Sequence, residues 1–114
     1  MSTRRITVEE VLEAYRVTGW KPMRFELYHV DVDWRECGCV NGVIAVANGA
    51  MAHRIDINEW LSKNFDDMYR LGIYRGFDGR EADDTFGGEL RFKQGFTDGQ
   101  AVAAAVFQKQ GDAA

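Results

Sequence analysis

Two stretches of this chain carry the same unusual feature, glycines spaced four residues apart inside sequence that otherwise favours a helix. They are Leu71-Gly72-Ile73-Tyr74-Arg75-Gly76-Phe77 and Leu90-Arg91-Phe92-Lys93-Gln94-Gly95-Phe96, the second continuing to Gly99. At an offset of nineteen residues they match at leucine, at an apolar position, at glycine and at phenylalanine, and each reaches an Asp-Gly, Asp78-Gly79 and Asp98-Gly99. Helical spacing lines up Phe65, Tyr69, Gly72, Ile73 and Gly76 on one side of the first segment. In the second it lines up Phe92, Gly95, Phe96, Gly99, Val102, Ala103 and Val106. A glycine inside a helix costs roughly 1 kcal/mol relative to alanine, so four of them oppose helix formation by about 4 kcal/mol. Close backbone approach of two helices, with aromatic rings filling the space beside the missing side chains, is the physical arrangement that offsets this. The competing reading makes the two Asp-Gly pairs hairpin turns between strands. The flanks alternate poorly, and the run after Gly99, Gln-Ala-Val-Ala-Ala-Ala-Val-Phe, is rich in helix formers, which favours the helices.

The remainder of the chain reads as further helices around this pair. Thr7-Val8-Glu9-Glu10 has capping-box spacing, so a first helix starts near Thr7, with Val8, Val11, Leu12 and Tyr15 on its apolar side and Gly19 as its end cap. Met23, Phe25 and Leu27 alternate, then the phase shifts to Tyr28, Val30 and Val32, which predicts a short strand or extended arm over 23–32. A lone strand either meets its copy in a second subunit or packs across helices as extended chain. Residues 37–50 are small and apolar nearly all round, as in a buried central helix. Asp56-Ile57-Asn58-Glu59 repeats the capping logic and opens a short helix through Trp60 and Leu61. The expectation is a mainly α chain: one compact domain over residues 1–114, about five helices, with flexible ends at 1–6 and 108–114.

Composition narrows the function classes. With 46% hydrophobic and 28% charged residues and one proline, 114 residues suffice for one domain with its own core. A net charge of −4 argues against nucleic acid or an anionic membrane surface as partner. The longest apolar run, Val43 to Ala47, is far too short to span a bilayer. The N-terminus lacks the apolar run of a secretory signal, and Cys37 and Cys39, one residue apart, cannot staple distant segments. A cytoplasmic protein with reduced thiols is therefore expected.

Three constellations bear on chemistry. Cys37-Gly38-Cys39 with His29 and His53 offers metal-ligand types, but it lacks the two-to-four-residue spacing and the second pair of zinc sites, so no metal and no cofactor are expected. The carboxylates Asp78, Asp83, Asp84, Glu89 and Asp98 are more simply a solvated, dipole-compensating group with Arg75, Arg80 and Arg91 nearby. Among the aromatics, Trp20 and Trp34 fall beside charged residues at element ends, where exposure is expected. Together with Tyr74 and Phe86 they are the candidate residues for binding a partner or a small apolar ligand.

The order of a cysteine-bearing small-residue helix (Cys37 to Gly49), then Tyr74-Arg75-Gly76-Phe77-Asp78-Gly79, then Phe92 to Gly99 resembles a group of small bacterial proteins of unknown function. Chains of that kind occur as products of mobile elements such as integron gene cassettes. The resemblance covers roughly residues 37–107, implies a bacterial setting and a helical fold, and brings no activity with it. The function expected is a non-catalytic binding or interaction module, a homodimer by preference. The alternative is a small enzyme or metal-dependent protein that uses Asp78 and Asp98 with His53 or His29.

Overall fold

The computed structural model describes residues 4–80 and 89–113, with side chains described as far as residue 107. The chain is mainly helical, with five helices and a small three-stranded sheet among these residues. Helix α1 spans Val8–Thr18 and short strands follow at Lys21–Pro22 (β1), His29–Val30 (β2) and Glu36–Gly38 (β3). The remaining helices are α2 (Val40–Ala47), α3 (Arg54–Asn64), α4 (Asp67–Phe77) and α5 (Leu90–Ala113).

Local chemistry sets most of these boundaries. Thr7 caps α1 by accepting the Glu10 N–H at 3.1 Å, and Gly19, at φ +72°, donates its N–H to the Tyr15 carbonyl. Asp66 caps α4 by accepting the N–H groups of Met68 and Tyr69. Helix α3 begins earlier than its sequence suggests: His53, not Asp56, is its cap, the ring Nδ1 accepting the Ile55 N–H, and Asp56 lies in the first turn, where its charge suits the helix dipole. The buried helix is also shorter, because Glu36–Gly38 is strand and only Val40–Ala47 is helical.

Helix α2 is the centre of the core: Val40 through Ala45 are all buried, and the helix touches α1, α3, α4 and β3. Gly42 is required there by close approach, since a Cβ on it would lie 1.8 Å from the Leu27 carbonyl oxygen. The extended segment around Leu27 therefore runs directly over α2, held by a 2.8 Å hydrogen bond from the Cys39 N–H to the Glu26 carbonyl. The arm over 23–32 does not lack a partner. Its His29–Val30 portion pairs antiparallel with β3, which also pairs in parallel with β1, giving the order β1-β3-β2.

The glycine segments bring two helix backbones into close contact along their length. Cβ atoms on Gly72, Gly76, Gly95 and Gly99 would lie 2.2, 2.2, 2.0 and 2.5 Å from the carbonyl oxygens of Phe92, Phe96, Tyr69 and Ile73. Each missing side chain thus admits a carbonyl of the facing helix, an approach that also favours weak Cα–H···O contacts. Residue numbers rise together along the seam, so α4 and α5 run parallel. Asp98-Gly99 lies within α5 and is no turn, whereas Gly79, at φ +75°, ends the turn that follows α4. Tyr69, Ile73, Phe77 and Phe92 are wholly buried beside the seam.

Helix α5 is tied to the N-terminal segment as well. The Tyr69 hydroxyl donates to Asp98 Oδ2 at 2.6 Å and accepts the Ile6 N–H at 2.7 Å, while Arg5 grips both Asp98 oxygens at 2.8 and 2.9 Å. Burial and the Asp98 carboxylate push the Tyr69 phenol far above its usual pKa. Tyr69→Phe is expected to cost about 2 kcal/mol in denaturant unfolding, because it leaves a buried N–H and a charged carboxylate each short of one partner.

Candidate functional site

The residue that stands out is Trp34, 87% exposed with φ at +63°. The left-handed region costs a non-glycine residue roughly 1–2 kcal/mol, and bulky residues avoid it. Its cause is the hairpin joining β2 to β3. The Trp34 N–H donates to the Asp31 carbonyl and the Asp31 N–H donates to the Arg35 carbonyl, both at 3.0 Å, closing a four-residue turn over 31–34. A left-handed residue normally follows such a turn, and natural hairpins place glycine there. Here a tryptophan takes that position.

Asp31 holds the turn together. Its Oδ1 accepts the N–H groups of Asp33 and Arg35, each at 2.9 Å, so the loop's backbone groups are satisfied without help from Trp34's side chain. These hydrogen bonds, the Arg35 N–H foremost, hold the Asp31 carboxyl below its usual value of 3.8. A depressed folded-state value contributes stability above the ordinary aspartate pKa, lost as pH falls through the folded value. Acid titration followed by Trp34 fluorescence is therefore expected to show the hairpin loosening only below about pH 4.

The hairpin also displays Val32, 94% exposed, and Val30, 38% exposed. Phe25, 60% exposed, is a second aromatic at positive φ, +71°. Its N–H donates to Asp78 Oδ1 at 3.0 Å, and neighbouring Arg24 donates to the Phe77 carbonyl at the end of α4. Burial raises the Asp78 carboxyl, with the Phe25 N–H and the arginines working against that shift. Segment 25–34 thus presents four apolar side chains to solvent from a backbone pinned at both ends.

The other candidate residues divide. Trp20 is not at the surface: it is 4% exposed, packs against Tyr28 in a tilted ring pair with centroids 5.1 Å apart, and fills the space over Gly38. Tyr74 is half-buried on α4, its phenol pushed up by burial and next to Asn41. Phe86, like Asp83 and Asp84, lies outside the described residues. Phe25 and Val32 read in the sequence only as alternating residues of the arm, Asp31 has no assigned role there, and the one signal for the turn is that aspartate three residues before Trp34.

The residues of the enzymatic alternative do not converge. Asp98 is bound to Tyr69 and Arg5, whereas Asp78, the residue after α4, accepts the Phe25 N–H. His53 is committed to capping α3, and His29 lies in β2. Among the described residues, no group of three His, Cys, Asp or Glu side chains is placed to hold a metal ion. Cys39 is fully enclosed, and burial pushes its thiol up to about 12; burial also raises Cys37. Neither thiol is activated as a nucleophile. None of the helices described is long and apolar enough to cross a membrane.

Comparison with known proteins finds no family model, no curated protein and no solved structure that matches this chain.

Proposed function

We propose that the protein is a non-catalytic interaction module that forms a two-fold homodimer through the β2–β3 hairpin, with Trp34 and Val32 as its contact residues. The observation that carries this reading is a tryptophan held almost fully in solvent at a backbone angle that opposes it. Strain of that kind concentrates where a surface is kept for binding, and exposed aromatic side chains are the usual anchors of interfaces.

A second copy is the favoured occupant because β2 is an edge of its sheet, and both of its residues are exposed. Edge strands are templates for pairing, and a two-fold axis through this edge would satisfy both copies at once. The cytoplasmic setting suggested by two free thiols, and the bacterial, mobile-element origin suggested by the resemblance, belong to the same proposal.

The test is sedimentation velocity over a concentration series. The parent is expected to shift from monomer to dimer as concentration rises, and Trp34→Ala with Val32→Asp is expected to stay monomeric with an unchanged thermal midpoint. A parent that remains monomeric throughout, or a double variant that dimerises as well as the parent, overturns the proposal.

A further inference from the structure

Residues 4–6 lie on the helices in the manner of a bound peptide, read through main chain and side chains alike. Arg5 donates to both oxygens of Asp98 on α5, and the Ile6 N–H donates to the Tyr69 hydroxyl on α4. The Arg4 carbonyl accepts from Arg91 at 3.1 Å. The Arg4 guanidinium lies 4.8 Å from the centre of the Phe65 ring and pairs with Glu10 of α1. Four kinds of contact thus engage three consecutive residues.

What holds the segment is polar recognition more than apolar burial. Ile6 is the one side chain of the three that is buried, and the Arg5 side chain is 45% exposed. The receiving groups are better enclosed: Tyr69 is wholly buried, and the Asp98 side chain is only 15% exposed. A seat built into the helices therefore receives a segment that buries little of its own surface. Segments with few buried apolar contacts open locally at lower cost than the core, and a chain of the same chemistry can then make the same bonds.

We infer that this seat is a docking site for an extended Arg-Arg-aliphatic segment of a partner protein, occupied by the chain's own Arg4-Arg5-Ile6 until the partner displaces it. Asp98 is the charge anchor, the Tyr69 hydroxyl and Arg91 fix the peptide backbone, and Phe65 receives the first guanidinium. The net charge of −4 favours a basic partner. The inference is independent of the homodimer reading and uses none of its residues. The segment in place acts as an autoinhibitory contact, because a tethered competitor holds its seat at an effective concentration in the millimolar range.

The experiment is two-dimensional amide NMR of the labelled full chain titrated with the unlabelled peptide acetyl-Thr-Arg-Arg-Ile-Thr-amide, which copies residues 3–7. Saturable shifts are expected at the amides of Tyr69, Asp98 and Gly99, together with loss of the Ile6 amide from its bonded position. Arg5→Lys keeps the charge that neutralises Asp98 but gives up the two-pronged grip, so it weakens the tethered segment without stranding the carboxylate. That variant is expected to bind the peptide roughly fivefold tighter than the parent or more, the effect of one charged hydrogen bond removed from the competitor. The same peptide with glutamine in place of its second arginine is expected to produce no saturable shift. Absence of saturable shifts in both proteins, equal affinity in the parent and Arg5→Lys, or equal binding of the glutamine peptide would overturn the inference. Displacement of the Ile6 amide that grows with protein concentration, without peptide, would show that a second copy supplies the segment and would overturn the separate partner. The titration of the parent keeps the test decisive even if Arg5→Lys perturbs the fold.

Discussion

Gly95→Ala is expected to lower stability by about 2 kcal/mol, and Gly95→Leu by more than about 3 kcal/mol, in urea unfolding. On helix propensity alone the alanine variant should be more stable by roughly 1 kcal/mol. The sign reverses because a Cβ at this position would lie 2.0 Å from the Tyr69 carbonyl oxygen and 2.9 Å from the Ile73 nitrogen. Both are backbone atoms of α4, so no side-chain rotation relieves the clash, and the two helices must separate. Separation strips packing from Tyr69, Ile73, Phe77 and Phe92, all wholly buried. For a domain of this size about 2 kcal/mol corresponds to a drop of roughly 8 °C in the thermal midpoint. Ala104→Gly, at an exposed position of α5, supplies the comparison: it should cost only the intrinsic 1 kcal/mol or so. Equal stability of the parent and Gly95→Ala would show that the seam is looser than described.

Trp34→Gly is expected to act in the opposite direction on stability while abolishing self-association. Glycine adopts φ +63° without the steric cost that tryptophan bears, and the 87% exposed side chain contributes little packing to lose. The monomer should gain about 1 kcal/mol, an amount reduced by the larger backbone entropy of glycine in the unfolded chain. Sedimentation of the same variant should show no dimer. A gain in stability accompanied by a loss of association would identify Trp34 as a residue kept for binding at the expense of the fold. Lower stability would mean instead that the indole supports the hairpin, and the case for a binding role would fail.

The two variants probe different origins of conformational cost. Gly95 accepts an unfavourable residue type so that two backbones can meet, and the return is local and internal. Trp34 accepts an unfavourable backbone angle that the hydrogen-bonded turn at Asp31 imposes, and its exposed side chain gains little packing in return. That contrast is the physical reason for looking outward from the hairpin and not from the glycine seam.

Much of this architecture follows from the sequence itself. Thr7 and Gly19 bound α1 by satisfying end amides and carbonyls, chemistry that involves only neighbouring residues. The glycine and aromatic spacing places Tyr69, Gly72, Ile73 and Gly76 on one face, because helical periodicity alone decides which residues share a side. The buried character of residues 40–45 likewise follows from their composition.

Tertiary structure decided the rest. Gly76 and Gly95 align in sequence, yet in the seam Gly76 faces Phe96 and Gly95 faces Tyr69, because interdigitation depends on how two surfaces mesh and not on which residues are alike. The parallel direction of α4 and α5 shows only in the seam, where Gly72 faces Phe92 and Gly76 faces Phe96. The arm over 23–32 found its partner in β3 through a turn whose signature glycine is replaced by Trp34, so local pattern did not disclose it. Trp20 and Trp34 have similar polar neighbours in sequence and opposite fates. One lies over Gly38, whose missing side chain leaves room for the ring, and the other is carried past the end of its sheet, where no described part of the chain covers it.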